Sequence, residues 1–193
     1  MTLPRPYIIL LNGVGSVGKS SIAKALQERV SNPLMHVQMD AFLEMLPKSL
    51  QKHSTTFTYS QIARDGTYEV VIGEGSVGKQ LLHGMRCAVR AMAEAGLNLV
   101  VDDVLMGGDD PGFEEYRSLL SPFSFRTVGV LAKLETLEHR EKSRGDRLHG
   151  LARWQFPRVH AGATYDLTVY SDDLADRDCE QDCAGLILVV DHP

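Results

Sequence analysis

Gly13-Val14-Gly15-Ser16-Val17-Gly18-Lys19-Ser20 is the stretch that decides the fold. It satisfies G-x-x-x-x-G-K-[ST], the P-loop pattern, in which glycine-rich backbone turns several N–H groups towards one polyphosphate. The apolar run Tyr7-Ile8-Ile9-Leu10-Leu11 precedes it, and residues 21–30 have the pattern of a helix. Strand, loop and helix in this order put the loop at the positive end of a helix, where phosphate is favoured. All eight residues, Gly13, Val14, Gly15, Ser16, Val17, Gly18, Lys19 and Ser20, are therefore expected to cradle the nucleotide. Lys19 neutralises β/γ oxygens in this reading, and the Ser20 hydroxyl holds Mg2+.

A second copy tests the first. Gly75-Ser76-Val77-Gly78-Lys79 repeats Gly15-Ser16-Val17-Gly18-Lys19, and Gly73 completes the spacing. Gln80, however, stands where the magnesium hydroxyl should be. The preceding run Thr67-Tyr68-Glu69-Val70-Val71-Ile72 has polar positions and follows Asp65-Gly66, a hairpin-type turn. A P-loop strand is apolar throughout because it is buried on both faces. The second copy therefore reads as a strand-to-helix turn.

Outward from these motifs, the chain alternates strands and helices. Strands are expected at Tyr7–Asn12, Leu34–Gln38, 99–101, 128–131 and Leu167–Tyr170. Helices are expected after the loop, at 41–46, from about 77 to Gly96, at Pro111–Leu120, at Leu134–Arg144 and at about 174–188. Residues 57–72 read as a hairpin. Val77, Leu81, Met85, Ala88, Val89 and Met92 recur at helical period. This alternation implies an α/β fold, a three-layer α/β/α arrangement around a five-stranded parallel sheet. The whole of 1–193 is expected to be one domain. Ligands then lie beyond the carboxyl ends of the strands.

Composition narrows the function. Hydrophobic residues at 44% and charged residues at 23% fit a globular chain. A net charge of −5 without a long basic run argues against nucleic acid. No apolar stretch reaches the ~20 residues needed to cross a bilayer. The N-terminus has no secretory pattern, and three cysteines, Cys87, Cys179 and Cys183, are too few for a disulfide scaffold. A cytoplasmic protein is expected. The histidines show no metal-ligand spacing, and nothing specifies an oligomeric state.

Three groups could do chemistry. Asp102 and Asp103 end an apolar strand, where an acidic residue of a P-loop enzyme meets magnesium. Alternation lets only one of them face the loop, and Asp102 is the expected metal residue. Asp40 follows strand 34–38 at the same sheet edge. It fits a base for an attacking hydroxyl and equally an N-cap for helix 41–46. Arg140 and Arg144 share a helix face, and Arg147 follows the hinge-permitting Gly145. They suit a lid that closes over phosphates, or a solvated basic helix end that complements the helix dipole.

In order along the chain, several stretches resemble the chloramphenicol phosphotransferase family of P-loop kinases. They are the P-loop; Asp40 with Phe42-Leu43-Glu44-Met45-Leu46-Pro47; Asp102-Asp103-Val104-Leu105-Met106-Gly107-Gly108; Arg144-Gly145-Asp146-Arg147; and His160-Ala161-Gly162-Ala163-Thr164-Tyr165-Asp166. The resemblance implies ATP-dependent phosphorylation of a small-molecule hydroxyl, possession of a P-loop kinase-like core, and Mg2+ with the nucleotide. It implies that Asp40 is the catalytic base, acting with Lys19, Arg144 and Arg147. It implies an Arg-rich lid over about 140–160, with Arg144 and Arg147 over the phosphates; Arg140, from the same cluster, is expected on the nucleotide. Phe42, Met45, Leu46, Phe57 and Tyr59 are candidates for the acceptor pocket or for plain packing. The hairpin region, about 53–79, and Val169-Tyr170-Ser171 depart from the family pattern, so the acceptor and the base contacts are left open. The alternatives are a kinase of another small metabolite or nucleotide, and a nucleotide-hydrolysing switch.

Overall fold

The computed structural model describes residues 5–64, 66–144 and 148–172. Strand β1 (Tyr7–Asn12) is buried at all six positions, as a run without polar alternation should be. It lies between β5 (Asn98–Asp103) and β6 (Ser124–Leu131), parallel to both. With β2 (Leu34–Gln38) and β7 (Leu167–Tyr170) they form one five-stranded parallel sheet in the order β2-β5-β1-β6-β7.

Alternation along the strands creates two cores. Ile9, Leu11, Val100, Val128 and Val130 pack on one face. There they meet α1 (Lys19–Arg29), α5 (Leu134–Arg144) and α6 (Leu151–Val159) through residues such as Leu26, Leu137 and Val159. Ile8, Leu10, Leu99 and Val101 pack on the other face. Their partners are α3 (Ser76–Glu94) and α4 (Pro111–Leu120), through Met85, Val89, Phe113, Tyr116 and Leu120. Met85 and Val89 are fully buried; truncating a side chain like Met85 to alanine costs about 2–5 kcal/mol.

The hairpin forms as expected. β3 (Phe57–Arg64) and β4 (Thr67–Glu74) pair antiparallel from Phe57↔Glu74 to Arg64↔Thr67, in their own two-stranded sheet. Asp65 lies outside the described residues; Gly66 takes φ 75° in the turn. A two-stranded sheet is marginal alone. Here it docks on the start of α6, where the Val70 amide donates to the Gly150 carbonyl at 3.0 Å.

Two expectations change. The helix expected at 41–46 is α2 (Met39–Glu44), capped by Gln38. Asp40 thus lies inside its first turn, and the N-cap reading is excluded. The fourth sheet strand begins at Ser124, four residues before 128, because Ser124 to Thr127 pair with Tyr7 to Leu10. Arg147, the helix expected at 174–188, Cys179 and Cys183 lie outside the described residues.

Candidate active site

The P-loop connects the carboxyl end of β1 to α1. Gly18 caps α1 with φ 100°, a left-handed backbone that favours glycine. None of the described backbone bonds ends on the amides of Gly18 or Ser20; the Gly18 carbonyl receives the Ser21 and Ile22 amides. Lys19 is 6% exposed, and its Nζ donates to the carbonyls of Gly13 at 2.7 Å and Val14 at 3.3 Å. The ammonium is therefore held over the loop. Asn12 fixes the loop's entry: its Oδ1 accepts the Leu105 amide at 2.7 Å, and its Nδ2 donates to Tyr165 Oη at 2.9 Å.

The second copy looks superficially similar, but its amides are spent. Gly75 donates to the Thr56 carbonyl at 2.7 Å, and Val77 and Gly78 donate to the Thr55 carbonyl at 2.8 and 3.2 Å. The chain's own backbone thus sits where a phosphate would go. A Cβ on Gly75 would lie 2.3 Å from the Thr55 carbonyl carbon, so this glycine permits a backbone crossing. Lys79 is exposed.

The adjacent aspartates point to opposite faces, as alternation requires. Asp102 is on the α1 face. Its Oδ2 accepts the Ser20 hydroxyl at 2.6 Å, and Lys19 Nζ lies 3.7 Å from its Oδ1. Burial alone would raise Asp102, but His36, Lys19 and Ser20 outweigh it and hold the carboxyl below its ordinary range. Asp103 is on the α4 face, 1% exposed. It accepts from the Val104 amide at 2.7 Å and from Tyr116 Oη at 2.9 Å. Burial raises Asp103 despite the opposing Arg86 charge. The serine hydroxyl and carboxylate that a P-loop uses for a divalent cation are therefore together, and the oxygen-only donor pair suits magnesium. Among the described residues no group of three or more His, Cys, Asp or Glu side chains could hold a metal, so water and phosphate oxygens must complete any such shell.

Asp40 stands two residues beyond β2, whose last residue, Gln38, is paired with Asp102. Topology thus brings Asp40 and Asp102 to the same sheet edge. Arg140 is half-buried and anchored: it donates to the Val17 carbonyl at 3.3 Å and to the Ser171 carbonyl at 2.6 Å. Arg144, one turn on, is exposed. Of the acceptor candidates, Phe57 is buried beside α3, Met45 is 70% exposed, and Phe42, Leu46 and Tyr59 are half-buried. A cleft of about 310 Å³ lies elsewhere, lined by Arg117, Phe125, Thr127, Thr164, Tyr165 and Asp166. It contains no P-loop residue, and Asp166 already occupies the Thr127 amide and hydroxyl.

Several contacts around the loop escaped the sequence reading. Gln155 of α6 is 4% exposed, and its Oε1 accepts the Gly15 amide at 2.8 Å. A carboxamide therefore sits on an amide of the glycine loop. The buried Glu141 carboxylate accepts the Gly150 and Ala152 amides, both at 2.8 Å, and caps α6 from α5. Ser171, noted only as a departure, donates from Oγ to the Val17 carbonyl at 2.6 Å. Gln155 and Glu141 have no motif around them; only the fold brings them to these amides.

Residues 6–188 match the family described as chloramphenicol phosphotransferase-like protein. A Mycobacterium tuberculosis (strain H37Rv) protein named "Putative O-phosphotransferase Rv2636" is 30% identical over 169 residues, covering 85% of this chain and 74% of that one. Among solved structures, the M. tuberculosis APS kinase CysC in complex with AMPPNP and APS has a TM-score of 0.66 at 14% identity. That likeness covers 97% of this chain and 99% of the other. A gluconokinase from Sinorhizobium meliloti 1021 has a TM-score of 0.61 at 17% identity, covering 99% and 96%. These likenesses show a P-loop kinase-like fold. By its sequence over nearly its full length, this chain belongs to the chloramphenicol phosphotransferase-like family.

Proposed function

We propose that the chain transfers the γ-phosphoryl group of ATP to a hydroxyl of a small molecule, as a chloramphenicol phosphotransferase-like O-phosphotransferase. The observation that carries this reading is the 2.6 Å bond between Ser20 and Asp102 beneath the P-loop, at the sheet edge where Asp40 also lies. Ser20 and Asp102 would hold Mg2+, which supplies charge neutralisation to the polyphosphate when bound. Lys19 leaves the Gly13 and Val14 carbonyls and pairs with phosphate oxygens. Asp40 accepts the proton of the acceptor hydroxyl as it attacks; such a base is worth about 10²–10⁴ in rate. Arg144 and Arg147 act as the lid, while Arg140 steadies the loop through Val17 and reaches the nucleotide from that side.

The acceptor lies between α2 and the hairpin in this reading, against Phe42, Leu46 and Tyr59. Incubation with Mg-ATP and a panel of alcohols, chloramphenicol among them, tests it. ADP release that requires one alcohol, with a phosphorylated product by mass spectrometry, supports the reading. Turnover indifferent to every alcohol would replace it with a nucleotide-hydrolysing switch.

A further inference from the structure

His36 lies on β2 with its side chain 8% exposed. Its Nε2 is buried with no hydrogen-bond partner, and it points at Asp102 with Oδ2 at 3.7 Å. Gln38, two residues on and on the same face, places Nε2 at 3.3 Å from His36 Nδ1. The amide donates to Nδ1, so the ring proton belongs on Nε2, facing the carboxylate. Strand register builds the row: Gln38 pairs with Asp102 and His36 with Val100. A chain of contacts thus runs Gln38, His36, Asp102, Ser20, from the edge strand to the P-loop.

A buried N–H without a partner is costly unless it is used. Asp102 has two other supports, the Ser20 hydroxyl and the Lys19 ammonium. Both have work at a bound nucleotide: Lys19 moves to phosphate, and Ser20 gives its oxygen to the cation. His36 is carried by a strand, with its side chain 8% exposed and its Nδ1 held by Gln38. We propose that His36 is a positioning residue for the magnesium carboxylate, donating from Nε2 to Asp102 Oδ2 and fixing the carboxylate's plane when Lys19 has departed. Partners behind a metal ligand fix its orientation and set metal affinity in this way. The inference rests on the donor-site reading above.

The experiment measures binding of a fluorescent ATP analogue against magnesium concentration, and against EDTA, for the parent, His36→Leu and His36→Gln. His36→Leu is expected to raise the magnesium concentration for half-maximal binding about 10-fold. Its metal-free nucleotide affinity and melting temperature are expected to stay near the parent values, which shows the P-loop is intact. His36→Gln restores an N–H donor at the reach of Nε2 and is expected to recover most of the magnesium affinity. An unchanged magnesium requirement in His36→Leu overturns the inference, as does equal loss of metal-free and magnesium-dependent binding. A parent protein whose nucleotide binding ignores magnesium overturns the donor-site reading and this inference with it.

Discussion

The two Gly-Ser-Val-Gly-Lys copies give opposite predictions for substitutions in them. In the second, a Cβ on Gly75 would meet the Thr55 carbonyl carbon at 2.3 Å and the Ser54 and Thr55 oxygens at 2.4 Å. These are backbone atoms, so the crossing strand or the start of α3 must shift by about 1 Å to reach ordinary contact. Overpacking of this kind costs about 1–3 kcal/mol. Weakening the 2.7 Å bond from Gly75 to Thr56 adds about 1 kcal/mol. For a chain of this size, about 2–4 °C is lost per kcal/mol, so Gly75→Ala should melt about 4–16 °C lower. It should bind nucleotide as the parent does at temperatures where it is folded. In the first copy, Lys19→Ala removes a buried ammonium and its charge-assisted bonds to phosphate, about 1.5–3 kcal/mol each. Two such bonds correspond to roughly 100- to 10⁴-fold weaker ATP binding, without a matching loss of melting temperature. Lys79→Ala, on an exposed lysine, should change neither property. Thermal melts with and without Mg-ATP, and titration with a fluorescent nucleotide, read both effects. A Gly75→Ala or Lys79→Ala protein that melts normally but has lost nucleotide binding would refute the assignment of the two copies.

Two further outcomes are expected. Gln155→Ala frees the Gly15 amide for phosphate, and removing a competing bond of about 0.5–1.5 kcal/mol should tighten ATP about 2- to 10-fold by calorimetry; weaker binding would mean that Gln155 contacts the nucleotide itself. Glu115 ties α3 to α4 through Arg86 at 2.7 Å and through His83. Burial would raise this carboxyl, but the His83 and Arg86 bonds hold it below the ordinary glutamate value of 4.5. Its stabilising contribution is therefore present above pH 4.5 and is lost as pH falls through the lower folded value. Glu115→Gln should melt lower at neutral pH and show a flatter decline in acid, whereas parallel melting curves for the two proteins would contradict the pairing.

Much of the donor half of the site was legible because it is local in sequence. A buried strand, a glycine loop and a helix start are contiguous, so Lys19 and Ser20 could be placed from their spacing. Asp102 was separable from Asp103 in principle by alternation, and its place beside Ser20 follows from the β1–β5 register. The second copy was also readable, because polar positions in residues 67–72 conflict with a central strand. The Asp40 cap reading failed because helix boundaries are fixed by backbone bonds, not by the nearest good capping residue. Gln155 and His36 were not legible. Gln155 is 140 residues from the amide it covers, and His36 has meaning only once an edge strand is paired beside Asp102. The residues expected to wall an acceptor pocket were the least legible, since Phe57 is buried beside α3 while Met45 is open to solvent.

The central claim is tested most directly by Asp40→Asn. With the acceptor found in the alcohol panel, single-turnover transfer from Mg-ATP should fall about 10²- to 10⁴-fold, while the nucleotide dissociation constant stays at the parent value. Transfer at a near-parent rate would contradict the account by removing Asp40 from the chemistry.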